Sequence, residues 1–157
     1  MCGIVGIVSG KRFLSKEILG MLKLLEYRGY DSAGIAMVGS GLYIEKSVGR
    51  ISELEKKING EIDGRLGISH TRWATTGVVT QNNAHPHTDC TGTIAVVHNG
   101  IIENYPGLKK DLEMKGHVFA SDTDTEIIPH MIEDNMHLGW QKPLKRLQKK
   151  YPEEIRS

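Results

Sequence analysis

The chain has 157 residues, 39% of them hydrophobic and 25% charged, with a formal net charge of +1. That length suits one domain burying roughly two-thirds of its unfolded surface, and it is short for two domains of ordinary size. The near-neutral balance argues against a general nucleic-acid or membrane surface, and no apolar run approaches the ~18 residues of a membrane span. Two cysteines, Cys2 and Cys90, are too few for a disulfide framework; together these features point to a soluble protein of the cytoplasm.

The amino terminus, MCGIVGIVSGKRF, has no basic start and no small-residue cleavage site, so it reads as a strand rather than a signal peptide. Its run GIVGIV at 3 to 8 predicts a strand covered on both faces. From Ser15 to Tyr27 the period changes. Ile18, Met21, Leu22 and Leu25 fall on one helical stripe, with Ser15 as N-cap and Gly29 as stop. AGIAMV at 33 to 38 and LYIEKSV at 42 to 48 flank Gly39-Ser40-Gly41, two strands joined by a three-residue hairpin loop. A small helix at 50 to 58 follows, apolar at Ile51, Leu54 and Ile58.

RLGISHT at 65 to 71 and TIAVVH at 93 to 98 predict two more strands around a polar loop from 76 to 92, long enough to suggest a role in a site. Asn99-Gly100 carries a tight-turn signal, since both residue types accept positive φ. A helix is expected from about 106 to 115, with Pro106 in its first turn and Gly116 as its stop, and HVFA suggests a further strand. Asp124 can cap a helix reaching His137 that buries Ile127, Ile128, Met131 and Ile132; Pro129 inside it predicts a kink or a late start. Residues 141 to 157 carry Lys142, Lys145, Arg146, Lys149, Lys150 and Arg156 against Glu153 and Glu154, which reads as a basic, solvated helix or tail. The expected organisation is a domain over 1–140 followed by this segment, with no repeat or linker dividing the first part. Strands and helices neither alternate strictly nor segregate fully, which favours an α+β fold with mainly antiparallel sheets and helices outside.

Cys2 is the sharpest candidate for chemistry. Removal of Met1 would place a thiol and a free α-amine on one residue. The amine, with a reference pKa of about 7.7 to 8.0, suits a general base, and the thiol, near about 8.5, is easily activated. On position alone the residue reads rather as a small buried hydrophobe of the first strand. What surrounds it decides the matter. MCGIVGI at 1 to 7, LEYRGYDSAGIA at 25 to 36, HTRWAT at 70 to 75, NAHPH at 83 to 87, VVHNGIIENY at 96 to 105 and SDTDTE at 121 to 126 together span about the first 135 residues. These segments resemble, in the family's order, the glutaminase domain of the glutamine:fructose-6-phosphate amidotransferases, which are N-terminal-nucleophile (class II) enzymes. The amidophosphoribosyltransferases share the chemistry, but typically begin the second segment LQHRGQD and favour tyrosine where Trp73 stands.

The resemblance implies a fold of two mainly antiparallel sheets packed between helices (αββα), with the last strands of the family's domain lying beyond this chain. It implies hydrolysis of the glutamine side-chain amide through a Cys2 thioester, with ammonia passed to a sugar-phosphate synthase (isomerase) domain or subunit. In the family the oxyanion is held by the side chain and amide carried here by Asn99 and Gly100. The glutamine carboxylate and ammonium are held by counterparts of Arg72 and Asp124, and Trp73, Thr75 and Thr76 line the pocket. These assignments suit the chemistry: an amide NH₂ and an unhindered glycine N–H are neutral donors for an oxyanion, and a guanidinium fork matches a carboxylate. Each residue alone would read as a turn, a cap, a surface charge or core.

No cofactor and no metal is expected. His85, His87, Cys90 and His98 include zinc-ligand types, but their spacing matches no finger and the family's NAHPH segment uses no metal. The resemblance also has departures. Thr76 stands where the family has histidine, and a retained Met1 would block the catalytic amine. The exposed sheet edges of a shortened domain would call for a covering chain, such as a second copy. The competing reading is a catalytically silent binding module derived from the same domain.

Overall fold

The computed structural model describes residues 2–74 and 78–136. Thr75, Thr76, the end of the helix expected to reach His137, and the basic segment 141–157 lie outside the described residues. The chain divides into two compact units, residues 1–87 with 97–99, and residues 88–96 with 100–157. No helix among the described residues is long and apolar enough to cross a membrane.

The first unit is built on a four-stranded antiparallel sheet in the order β1-β4-β2-β3. Its strands are β1 (Gly3–Leu14), β2 (Ser32–Val38), β3 (Leu42–Val48) and β4 (Asp63–Arg72). Side chains alternate between faces. On one face Val5, Ile7, Ala33, Ile35 and Met37 join Phe13, Ile18, Leu19, Leu22, Ile51 and Leu54 in the core. Ile18, Leu19 and Leu22 come from α1 (Ser15–Lys23), and Ile51 and Leu54 from α2 (Ile51–Lys57). The two helices therefore cover one face of the sheet; in α1 the buried stripe is Ile18, Leu19 and Leu22, while Met21, expected on it, is half exposed and Leu25 lies beyond the helix. The other face carries His70 and Arg72, opposite Gly34 and Ser32 of β2.

Several expectations are corrected here. β1 is longer than the apolar run and is an edge strand covered on one face only: Ile4 and Val8 point outward, Val8 being 84% exposed. The helical stripe from Ser15 breaks at Lys23 and resumes as a 3-10 turn over Glu26–Arg28, which Gly29 ends. Ser15 is the first helical residue rather than the cap. Leu14 holds the cap position, its N–H donating to Glu17 Oε1 at 2.8 Å, while Ser15 N–H goes to the Ile62 carbonyl. The hairpin forms as expected, with Gly39 N–H closing on the Gly41 carbonyl at 3.0 Å.

The second unit holds most of a small two-stranded sheet of β5 (His87–Thr88) and β6 (Ala95–Val96), then α3 (Tyr105–Met114), a 3-10 turn over Asp124–Glu126 and α4 (Ile127–Asn135). The turn between β5 and β6 is organised by Asp89, whose carboxylate accepts from the N–H groups of Thr91, Thr93 and Ile94 and from the hydroxyls of Thr91 and Thr93. The strand expected at 93 to 98 is thus reduced to two residues. HVFA at 117 to 120 is not a strand. Its backbone donors are taken by side chains instead, Val118 N–H by Cys90 Sγ and Ala120 N–H by Glu126 Oε1. Neither Asn99 nor Gly100 adopts positive φ, so the expected tight turn is replaced by a simple bend.

Pro129 sits in the first turn of α4, where its missing N–H has no helical partner to lose, and this explains the late start of the helix. Asp124 does not cap α4. Its carboxylate accepts from Ile102 N–H at 2.6 Å, while Thr123 precedes the 3-10 turn. The apolar core of this unit is small: Leu108, Leu112 and Ile127 are buried, with Ile102, Tyr105, Phe119 and Met131 packed on them.

Candidate active site

Within the first unit, the end of β4 brings Cys2, His70, Arg72, Trp73 and Asn99 together. The register places Gly3 opposite Thr71, so Cys2, just before β1, reaches the residues that follow β4. The Trp73 N–H donates to Cys2 Sγ at 3.3 Å, and the thiol lies 3.7 Å from the Trp73 carbonyl oxygen. Thr71, fully buried, accepts from Gly3 N–H at 3.1 Å and anchors the chain just after the cysteine.

Asn99 meets the same residue from the other side, its Nδ2 donating to the Cys2 carbonyl oxygen at 3.2 Å. Its Oδ1 lies 3.0 Å from His70 Nε2. The Cys2 carbonyl can only accept, so the amide nitrogen of Asn99 faces it, and the oxygen left facing His70 is met by a proton on Nε2. Burial pushes the His70 pKa down to about 4; the Asn99 bond opposes this and the Arg72 charge adds to it, so the ring is neutral at physiological pH. His70 stacks on His85, with centroids 4.2 Å apart, and His85 Nδ1 accepts from His98 N–H at 3.3 Å. Burial, then the neighbouring His70, His87 and Arg72 charges, also hold His85 far below the ordinary histidine value. These histidines form a neutral, stacked platform.

Two glycines of the quoted segments are explained by close approach. A Cβ on Gly29 would lie 2.7 Å from the Arg72 carbonyl carbon and the Trp73 nitrogen, and one on Gly34 would lie 2.0 Å from the His85 carbonyl oxygen. Asp31, between them, accepts from Ala74 N–H at 2.8 Å, and its own N–H donates to the Arg72 carbonyl. The RGYDSAG segment is therefore the brace on which the 72 to 74 turn rests. Trp73 is 43% exposed, its ring edge-on to Tyr30 at 5.6 Å; it is a site-facing ring rather than the core residue that an isolated tryptophan suggests.

Of the expected site residues, Cys2, Arg72, Trp73 and Asn99 gather in this unit, with Arg72 buried. Gly100 and Asp124 belong to the second unit, and Thr75 and Thr76 lie outside the described residues. His70 and Asp31 were not singled out from the sequence. The signal for His70 was available: it stands two residues before Arg72 on a strand, hence on the same face.

A cysteine leading an antiparallel sheet, beside backbone and amide donors, is the arrangement of an amidotransferase of the N-terminal-nucleophile class, and comparison of folds bears this out. Glutamine phosphoribosylpyrophosphate amidotransferase from B. subtilis superposes with a TM-score of 0.73 at 27% identity over 95% of this chain and 32% of its own. A structure described as the allosteric regulatory enzyme of purine biosynthesis gives 0.75 at 28%, over 96% of this chain and 33% of its own. The α+β fold is therefore that of this class. A family model described as glutamine amidotransferase domain matches residues 70–150, and the chain belongs to that family.

Among curated relatives, glutamine–fructose-6-phosphate aminotransferase (isomerizing) of Pyrococcus horikoshii is 59% identical over 140 residues, 88% of this chain and 23% of the relative. The enzymes of the same name from Sulfurisphaera tokodaii and Gloeobacter violaceus are each 55% identical over 144 and 135 residues. The chain thus spans under a quarter of the length of these relatives, 22% in the last case.

Proposed function

We propose that this chain is a glutaminase domain that splits the side-chain amide of L-glutamine through Cys2 and supplies ammonia for amination of a sugar phosphate, fructose 6-phosphate, by a synthase domain or subunit. The observation that carries this reading is the convergence of the Trp73 N–H and the Asn99 amide on Cys2. With Met1 removed, the Cys2 α-amine takes the thiol proton, directly or through a water, and the sulfur attacks the amide carbon. Asn99 Nδ2 and Gly100 N–H donate to the oxyanion, ammonia leaves with the transferred proton, and a glutamyl thioester remains. Water then cleaves the thioester to glutamate and restores the thiol. Losing one oxyanion donor typically costs about 10²- to 10³-fold in rate.

In this scheme Arg72 clamps the glutamine α-carboxylate with its two-pronged donor set, Asp124 takes the α-ammonium, and Trp73, Thr75 and Thr76 wall the pocket from solvent. No metal or organic cofactor enters the reaction. The sugar-phosphate acceptor is favoured over a phosphoribosyl one because relatives of the former name reach 59% identity, against 27% and 28% for the purine-biosynthesis structures. The location that fits is cytoplasmic, and a second copy or the synthase is the partner that would cover the outward side chains of β1.

Intact mass followed by a glutamate-release assay tests the proposal. A mass lacking Met1, with turnover abolished by Cys2→Ala, is the expected result. Processed, folded protein that neither binds nor hydrolyses glutamine would leave only the silent-module reading.

A further inference from the structure

Four side chains of the second unit that play no part in the proposed chemistry point at one spot: Cys90, His117, His130 and Glu133. Their ligand atoms are Cys90 Sγ, His117 Nδ1, His130 Nδ1 and Glu133 Oε2. Sulfur lies 3.7 Å from His117 Nδ1 and 3.5 Å from His130 Nδ1; the two nitrogens are 3.3 Å apart; the carboxylate oxygen lies 3.0 and 3.4 Å from them. All four atoms fall within 4.8 Å of one another. Ligands bound tetrahedrally at zinc distances of about 2.0 to 2.3 Å are separated by roughly 3.3 to 3.6 Å. The five quoted separations scatter about that range. Hydrogen bonding alone accounts for the cluster poorly. Two Nδ1 atoms face each other and share one carboxylate oxygen and one sulfur, so several lone pairs converge where few protons can serve them.

The surroundings are those of a metal site. The far nitrogen of each histidine lies near a carboxylate: His130 Nε2 is 3.5 Å from Glu126 Oε1, and His117 Nε2 is 3.9 Å from Asp134 Oδ1. Glu126 is itself fixed by the Ala120 and Ser121 N–H groups, both at 2.7 Å. Carboxylate-backed histidine is the usual outer arrangement of a zinc ligand; here the carboxylates stand at the edge of hydrogen-bond reach, and His130 Nε2 is buried with no hydrogen bond made to it. Val118 N–H donates to Cys90 Sγ at 3.4 Å. One thiolate, one carboxylate and two neutral imidazoles carry two negative charges, which a divalent cation neutralises.

We propose that Cys90, His117, His130 and Glu133 form a structural zinc site. Four protein ligands leave no open position, so the ion has a folding role rather than a catalytic one. It ties the turn after β5, the segment after α3 and one face of α4 into a single clip. The unit has a use for such a clip, since among its described residues only three apolar side chains are buried in its core. The sequence reading grouped Cys90 with His85, His87 and His98, which belong to the first unit; its partners in the fold are two other histidines and a glutamate.

The test uses the full chain. Protein purified without chelator is expected to hold one zinc per chain by mass spectrometry of the metal. After stripping with chelator, Co²⁺ titration should saturate at one equivalent, with the visible bands of tetrahedral cobalt and a near-ultraviolet thiolate charge-transfer band. Cys90→Ser should remove the charge-transfer band, and Cys2→Ala should keep it, which separates this site from the proposed nucleophile. Glu126→Gln, touching no metal, should weaken cobalt binding by about 10- to 100-fold. Failure of the unmutated chain to bind either ion stoichiometrically would overturn the proposal, as would a thiolate band that survives Cys90→Ser or metal retained by the His117→Ala/His130→Ala double variant. A purified ion other than zinc on these four ligands would overturn the assignment of the metal.

Discussion

Replacing His70 by alanine probes the orientation of the Asn99 amide, on which the proposed oxyanion donor depends. The Asn99 side chain has nearly the same shape either way round, and the 3.0 Å contact with His70 Nε2 adds to the Cys2 carbonyl in holding the rotamer that directs Nδ2 at Cys2. A hydrogen bond of this kind contributes about 0.5 to 1.5 kcal/mol, so its loss changes the ratio of the two orientations by roughly 2- to 10-fold. The turnover number for glutamate release should fall by at most that factor in His70→Ala, against about 10²- to 10³-fold for Asn99→Ala. The double variant should be no slower than Asn99→Ala, because nothing remains to be oriented. His70 is also buried and stacked on His85, so the variant loses stability, and rates must be taken well below its unfolding temperature with the folded fraction checked by circular dichroism. A folded His70→Ala with unchanged turnover, or a double variant slowed by the product of the two single effects, would refute this role.

Acidification offers a second check on the same residue. His70 titrates at about 4 in the fold against about 6.5 unfolded, so between these values the unfolded chain binds the extra proton. Stability is then complete above roughly pH 7 and declines as the pH falls through 6.5 towards 4, by about 3 kcal/mol from this group; denaturant midpoints across that range should show a decline that His70→Gln diminishes, and a flat profile would contradict it. Gly34→Ala, whose Cβ would meet backbone 2.0 Å away, should cost about 3 kcal/mol or more, whereas Gly41→Ala, with nothing within 4 Å, should change the midpoint little. Arg72→Lys should raise the KM for glutamine with little change in turnover number, as expected when a clamp acts equally on substrate and transition state; an unchanged KM would remove Arg72 from that role. 6-Diazo-5-oxo-norleucine, a reactive glutamine analogue, should label Cys2 and spare Cys90, and labelling at Cys90 alone would show the nucleophile to be misassigned.

The parts of the fold legible in the sequence are those with a local cause. The Gly39-Ser40-Gly41 hairpin, the stripes of α1 and α2 and the stop at Gly116 follow from turn chemistry and period, and the structure reproduces them with shifts of a few residues. Where strands were expected at 93 to 98 and at HVFA, side chains took backbone donors that a strand partner would have used: the nearby Asp89 carboxylate those of Thr93 and Ile94, Glu126 that of Ala120, and Cys90, far along the chain, that of Val118, none of which residue period reveals. Whether β1 is covered on both faces likewise depends on its edge position, which composition does not encode. At the site, Cys2, Arg72, Trp73 and Asn99 were legible through motif resemblance. His70 and the Cys90 cluster were not, because their roles depend on which residues, tens of positions away, the fold sets against them.

The location of the site at the end of β4 follows from the sheet order. β4 lies between β1, which delivers Cys2, and β2, whose Gly34 admits the His85 backbone that His70 then stacks upon. Alternation divides the work along this strand. Ser69 and Thr71 face the core, Thr71 locking the pairing through Gly3, while His70 and Arg72 face the candidate site. A slip of one residue in either pairing would exchange these faces, turning a charged guanidinium into the core and a threonine towards Cys2. The braces around the pairing, Thr71 on Gly3 and Asp31 on Ala74, are accordingly as necessary to the proposed chemistry as the donors themselves. Their substitution should reduce turnover and stability together, whereas loss of Asn99, which is solvent-exposed and packs no core, should cost stability only through its bond to His70 and reduce turnover far more.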